Sequence, residues 1–284
     1  MKIARFTESG RTRLGLVDGD QVIDVGSADP SLPTELGALI ADGRLAAVGA
    51  TAATAARLPL ASVRLEAPIP MPPNFIAIGL NYAAHVEESG MNKPKMPVVF
   101  NKQVTCVTGP FDPVEVPTAA PDLVDYEGEL GIVIGRRCRN VPKERAHEVV
   151  AGYFVVNDVS VRDWQVATPT MTMGKGWDTH GPIGPWMVTA DEVPDPQNLR
   201  IRTWVDGDLR QDASTRLMIT GCWELIEFLS TAFTLLPGTI IATGTPAGVG
   251  FVMKPPRCVS PGMSVKIEIE GIGTIENPFV AQPA

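Results

Sequence analysis

The segment DLVDYEGELGIVIG, residues 122–135, places Glu127 and Glu129 two positions apart in strand-like sequence. Side chains alternate along a strand, so both carboxylates project from one face, which Gly131 and Val133 continue with small or apolar groups. Two acids side by side at the edge of an apolar strand repel each other unless something positive lies between them. Further on, YFVVNDVS ends a second apolar strand with Asp158. Three carboxylates converging from two strands would form a hard, all-oxygen site suited to Mg²⁺ or Mn²⁺, with Ca²⁺ also admissible. The plain alternative is that Glu127 and Glu129 line the wet face of an edge strand.

A second group sits in GLNYAAHVEESG, residues 79–90, where His85 and Glu88 are three apart and face together on one helical turn. Such a pair makes a general base: the carboxylate orients the imidazole, and the imidazole takes a proton from water. A surface histidine on a helix is the simpler reading of His85 taken alone. Of the three histidines, His147 lies in a charged helical run and reads as solvated. His180, in the loop DTHGPIGP, reads as structural or peripheral to a site. Lys175 stands between two glycines in MGKGWDTHGPIGPW, where close backbone approach would let its ammonium meet a carboxylate or enolate oxygen. TIIATGTPAGVG, residues 239–250, runs from a strand into a Gly-rich turn whose amides and Thr245 could bind a carboxylate. It lacks the Gly-Lys-Ser/Thr ending of a phosphate loop and the spacing of a dinucleotide fingerprint.

These residues need a scaffold, and the punctuation of the chain describes one. Short β-rich segments recur between glycines and prolines: FIAIGL, PVVFNK, ELGIVIG, YFVVNDVS, PWMVT, LRIRTWVDG, TIIATGT and SVKIEIEG. Helical pattern is sparser, predicted over 34–56, over VPKERAHEVVA (141–151), and over TGCWELIEFLSTAF (220–233) with Thr220 as N-cap. With 27 Gly and 26 Pro, a mixed α+β, β-rich sandwich, roll or barrel is favoured over a doubly wound sheet. Three strands open the chain, the second and third joined by a turn at Asp18-Gly19-Asp20. The Pro-rich stretch APIPMPPNF (67–75) marks a boundary between a small N-terminal β+α domain, 1–65, and a working domain, 70–284.

Composition narrows the class. A net charge of −8 argues against a nucleic-acid surface. No apolar run approaches the length that spans a membrane. Four scattered cysteines without a C-x-x-C pair suggest reduced thiols in a cytoplasmic protein.

In order and spacing, NYAAHVEE, DYEGELGIVIG, NDVSVRDWQ, GKGWDTHGPIGP and ATGTPAGVG resemble the fumarylacetoacetate hydrolase family, from about Phe75 to Pro278. The resemblance implies the family's mixed β-sandwich roll, with Glu127, Glu129 and Asp158 as ligands of Mg²⁺ or Mn²⁺. It implies His85 and Glu88 as the pair that activates water, and Lys175 as the group that polarises the substrate. Arg162 and Gln165, in VRDWQ, match substrate contacts of acylpyruvase-like members, and Thr245 lies in the turn that meets the substrate carboxylate. A homodimer is also implied. The expected activity is hydrolysis of a carbon–carbon bond in a small 2,4-dioxo acid through a metal-bound enolate. Decarboxylation of a 2-oxo acid such as oxaloacetate, or isomerisation of a 2-hydroxy-alkenedioate, would use the same site. Outside that class stands a non-catalytic binding protein stabilised by a metal.

Overall fold

The computed structural model describes residues 1–283. Its main element is a 12-stranded mixed sheet. Across it run Arg57–Pro59, Gln21–Ile23, Arg11–Asp18, Lys2–Glu8, Gly181–Thr189, Val150–Asn157, Gly128–Ile134, Ile240–Ala242, Phe75–Gly79 and Val98–Lys102. Two shorter strands, Arg64–Glu66 and Val107–Thr108, pair beside this path. A five-stranded sheet, built around Arg200–Val205 and Ser264–Ile269, lies apart from it. Every β-rich segment read from the sequence falls in one of these strands.

The central strands are covered on both faces, so they are near-continuous apolar runs rather than alternating ones. Along Gly128–Ile134, Leu130, Ile132 and Ile134 enter one core with Tyr153 and Val155. Val133 enters the second core with Phe154 and Val156. The strand Ser264–Ile269, at the middle of the five-stranded sheet, alternates instead: Val265, Ile267 and Ile269 are buried while Lys266 and Glu268 are only partly covered.

The opening strands join the same sheet. Lys2–Glu8 pairs with Arg11–Asp18, and Lys2 and Ile3 pair with Val188 and Met187. The hairpin read at residues 18–20 is present, with Asp18 opposite Gln21. Behind it, the buried Arg13 guanidinium reaches both Asp24 oxygens at 2.8 Å.

The helices are shorter than the sequence pattern suggests. Residues 34–56 hold two, Leu36–Ala41 and Leu45–Ala52. The run 141–151 is a 3₁₀ stretch, Lys143–Val149, that passes directly into a strand at Val150. The helix expected from Thr220 begins at Cys222 with Gly221 as its cap. Thr220 is tied elsewhere: its N–H donates to Asn81 Oδ1 at 2.9 Å and its carbonyl accepts from Asn81 Nδ2 at 3.0 Å. The Gln197 side-chain oxygen accepts from the Cys222 N–H, replacing the hydroxyl cap. From there Cys222, Leu225, Ile226 and Leu229 bury one helical stripe.

Candidate active site

Glu127 and Glu129 do face the same way, and that face is interior. Glu129 is 1% exposed, Glu127 5% and Asp158 0%, which removes the wet-face reading. The strands Gly128–Ile134 and Val150–Asn157 are paired in register, Gly128 opposite Asn157. One step beyond, the Asp158 N–H donates to the Glu127 carbonyl at 2.9 Å. Asn157 Oδ1 accepts the Glu127 N–H at 3.1 Å, and Gln211 Oε1 accepts the Gly128 N–H at 3.0 Å. Held this way, one oxygen from each of Glu127, Glu129 and Asp158 lies within 4.8 Å of the others.

Three cations meet these carboxylates. Lys175 Nζ is 2.7 Å from Glu127 Oε2 and 2.9 Å from Asp158 Oδ2. Lys102 Nζ is 2.6 Å from Asp158 Oδ1 and donates to the Lys175 carbonyl at 2.5 Å. Arg162 reaches Glu127 Oε1 with Nη1 at 2.5 Å and Asp125 Oδ2 with Nη2 at 2.8 Å. Asp125 also accepts the N–H groups of Gly250 and Phe251, each at 2.9 Å.

This ledger leaves Glu129 without a cation. Its hydrogen bond is to the Gly244 N–H, at 2.8 Å. Burial, then the charges of Asp158 and Glu127, push its carboxyl well above the usual range. Glu127 is equally buried, yet Lys175 and Arg162 overcome that burial and hold its carboxyl below the ordinary value. Burial opposes the charge on Lys175, but Asp158 and Glu127 raise its ammonium pKa above the ordinary one. Three buried oxygen donors with one carboxylate short of counter-charge fit a hard divalent cation, which would give Glu129 its missing partner.

The second group is also assembled. On the short helix Ala83–Glu88, His85 Nδ1 lies 2.7 Å from Glu88 Oε1. The other Glu88 oxygen accepts the Gly248 N–H at 2.8 Å. Gly248 itself, at φ 111°, sits where a Cβ would fall 2.0 Å from the Arg210 carbonyl, so no other residue fits without moving the loop.

His85, Glu127, Arg162, Gln165, Lys175 and Thr245 all line one cavity of about 360 Å³. Gln165 accepts from Arg162 Nη1 at 2.9 Å through its side-chain oxygen. The Thr245 hydroxyl donates to the Gly128 carbonyl at 3.0 Å and accepts from Gln211 Nε2 at 2.8 Å. Leu80 and Met171 line the same space in left-handed backbone, at φ 56° and 60°. That conformation is costly for bulky residues and clusters at binding sites.

Lys102, Asp125 and Gln211 escaped the sequence reading, although Asp125 continues the two-residue spacing of Glu127 and Glu129. His180 is buried away from the cavity, its Nε2–H donating to the Glu115 carbonyl at 2.8 Å. His147 is exposed, as read from the sequence.

The family profile described as fumarylacetoacetate (FAA) hydrolase C-terminal matches residues 74–280. This chain belongs to the fumarylacetoacetate hydrolase family. A second profile, Rv2993c-like N-terminal, matches residues 1–68. Among solved members of the family, a fumarylacetoacetate hydrolase from Exiguobacterium antarcticum is 39% identical, with a TM-score of 0.90 over 99% of this chain and 100% of that one. Maleylpyruvate hydrolase from Sphingobium sp. SYK-6, solved with manganese(II) and pyruvate, is 37% identical at a TM-score of 0.83, covering 100% of both chains. The 2-hydroxyhepta-2,4-diene-1,7-dioate isomerase from Mycobacterium marinum is 34% identical at a TM-score of 0.78, again over 100% of both. The family thus contains hydrolases and isomerases on this fold. No helix among the described residues is long and apolar enough to cross a membrane.

Proposed function

We propose that this family member is a divalent-metal-dependent hydrolase that splits a carbon–carbon bond in a small 2,4-dioxo acid, releasing pyruvate or a related 2-oxo acid. The observation that carries this reading is that His85, paired with Glu88 through Nδ1, lines the same cavity as Glu127 and Lys175. An isomerase needs only a proton shuttle, whereas a hydrolase needs a base that makes water nucleophilic.

Mg²⁺ or Mn²⁺ held by Glu127, Glu129 and Asp158 would supply Lewis acidity toward the substrate's 2-oxo group. The chain's own residues do the rest. Glu88 fixes the imidazole through Nδ1, leaving Nε2 to take a proton from water. The hydroxide adds to C4, the C3–C4 bond breaks, and its electron pair moves to C3 and the 2-oxo oxygen. The Lys175 ammonium stabilises the charge that develops on that oxygen. The proton on His85 returns to C3, giving the 2-oxo acid and a carboxylic acid. Arg162, Gln165 and Thr245 shape the end of the cavity that receives the substrate carboxylate.

The test is turnover by metal-stripped protein with and without Mn²⁺ or Mg²⁺. Metal-dependent pyruvate from acetylpyruvate is expected. Pyruvate from oxaloacetate alone would make the chain a decarboxylase, and a spectral shift of a 2-hydroxy-alkenedioate without cleavage an isomerase. Tight metal binding with no turnover of any of these would favour a non-catalytic binding protein.

A further inference from the structure

Beyond the residues assigned to the chemistry the cavity wall is mostly apolar, with the hydroxyls of Ser89 and Thr168 as its polar exceptions. Among its described lining residues the fixed cations are Arg162 and Lys175. Both are spent locally: Arg162 on Asp125, Glu127 and Gln165, and Lys175 on Glu127 and Asp158. Whatever positive potential remains around them is claimed by the head of the substrate, its carboxylate and 2-oxo oxygens. The remaining wall is dominated by Leu80, Phe100, Met171, Val249, Phe251 and Val252. Phe251 is fixed there because its N–H is bound to Asp125 at 2.9 Å, the same carboxylate that pairs with Arg162. Phe100 lies with its ring centre 5.1 Å from Lys175 Nζ, marking where charge gives way to apolar surface.

We infer that the distal part of this cavity selects a 2,4-dioxo acid whose acyl tail is uncharged and apolar, and excludes diacids that carry a second carboxylate there. This rests on the reaction proposed above for the head of the substrate, but the selection is set by different residues. A carboxylate pressed against Leu80, Val249 and Val252 loses its water and meets no cation, whereas methylene groups gain by leaving water. Rejection by an unpaired charge is the stronger form of discrimination, because it acts against the wrong substrate rather than merely favouring the right one. The related maleylpyruvate hydrolase and heptadienedioate isomerase are named for diacids, so the inference separates this chain from them by substrate.

The experiment compares acetylpyruvate, butyrylpyruvate and succinylpyruvate with the Mn²⁺-loaded full chain. Butyryl- and succinylpyruvate have the same chain length and differ by the terminal carboxylate. kcat/KM is expected to rise roughly threefold to fourfold per added methylene from acetyl to butyryl. Succinylpyruvate is expected at least about 100-fold below butyrylpyruvate. Equal or faster cleavage of succinylpyruvate overturns the inference and leaves the hydrolase standing. If no acylpyruvate is cleaved, the hydrolase reading fails, and calorimetric binding of 2-oxohexanoate against 2-oxoadipate decides the inference by itself. Tighter 2-oxohexanoate supports it; equal or tighter 2-oxoadipate overturns it. A Val252→Lys variant should move the preference at least about tenfold toward the diacid by supplying the missing cation. An unmoved ratio of kcat/KM for succinylpyruvate over butyrylpyruvate in that variant counts against the assignment.

Discussion

Lys102 Nζ lies 2.6 Å from Asp158 Oδ1, and both side chains are fully buried. The same ammonium holds the carbonyl of Lys175, so one lysine sets the spacing between a candidate metal ligand and a second lysine. Replacing Lys102 with Met would leave Asp158 with one cation fewer in a medium that penalises unpaired charge. The metal-free variant is expected to lose about 3–5 kcal/mol in urea unfolding, with part of the loss restored by Mn²⁺. A loss below about 1 kcal/mol would mean that the pair is dispensable.

His85 and Glu88 should separate binding from turnover. His85→Ala is expected to lower kcat by about 10²–10⁴-fold while Mn²⁺ still binds. Glu88→Gln removes the charge that orients the ring and should cost less than His85→Ala. Wild-type turnover in His85→Ala would remove the imidazole from the mechanism.

Glu129 is the carboxylate without a cation, so its removal should cost metal rather than fold. Glu129→Gln is expected to be at least as stable as the wild-type chain without metal, and to lose the thermal shift that Mn²⁺ confers. A variant that unfolds without metal yet binds Mn²⁺ normally would contradict the ligand assignment.

Gly248→Ala tests the loop that braces Glu88. A Cβ at φ 111° and 2.0 Å from the Arg210 carbonyl must displace the turn, and with it the N–H that Glu88 accepts. Activity is expected to fall with metal affinity unchanged, measured by kcat beside Mn²⁺ titration. Unchanged kcat would show that Glu88 holds its position without the brace.

His180 gives a pH dependence with a definite sign. Burial depresses its pKa from 6.5 to about 4, and its Nδ1 has no partner to receive a proton's charge. The folded chain therefore binds this proton less readily than the unfolded chain. The contribution is complete above pH 6.5 and is lost as the pH falls toward about 4, amounting to roughly 3 kcal/mol. His180→Gln keeps a donor for the Glu115 carbonyl and should flatten the stability profile between those values relative to wild type. Identical profiles would mean that the ring is protonated at no cost.

Much of this site was legible because the chemistry is local in the chain. Glu127 and Glu129 share a face by strand alternation, His85 and Glu88 share one by helical spacing, and Asp158 ends a recognisable strand. Lys102 was invisible for the opposite reason. It ends the strand Val98–Lys102 at the edge of the sheet path, and its partner is fixed by tertiary packing rather than by spacing. Gln211 likewise reaches Gly128 and Thr245 from a strand of the other sheet. Helix ends were misplaced where tertiary hydrogen bonds outbid local capping, as when Asn81 claimed Thr220 and Gln197 took over the cap. Burial of the acidic trio could not be read from E-x-E alone, because alternation shows that two side chains share a face and not which face is wet.

The pairing of Lys2 and Ile3 with Val188 and Met187 also sets an order of assembly. The hairpin partner of the opening strand is local, and Arg5–Thr7 meet Arg64–Glu66 on the other edge, but Lys2 and Ile3 stay unpaired there until a segment far along the chain arrives. Contacts that distant are slow to form, and an uncovered strand edge is adhesive while it waits. Refolding from denaturant should therefore wait on the closure of such distant seams, and crowding of half-folded chains should favour edge-to-edge aggregation over recovery of the native sheet.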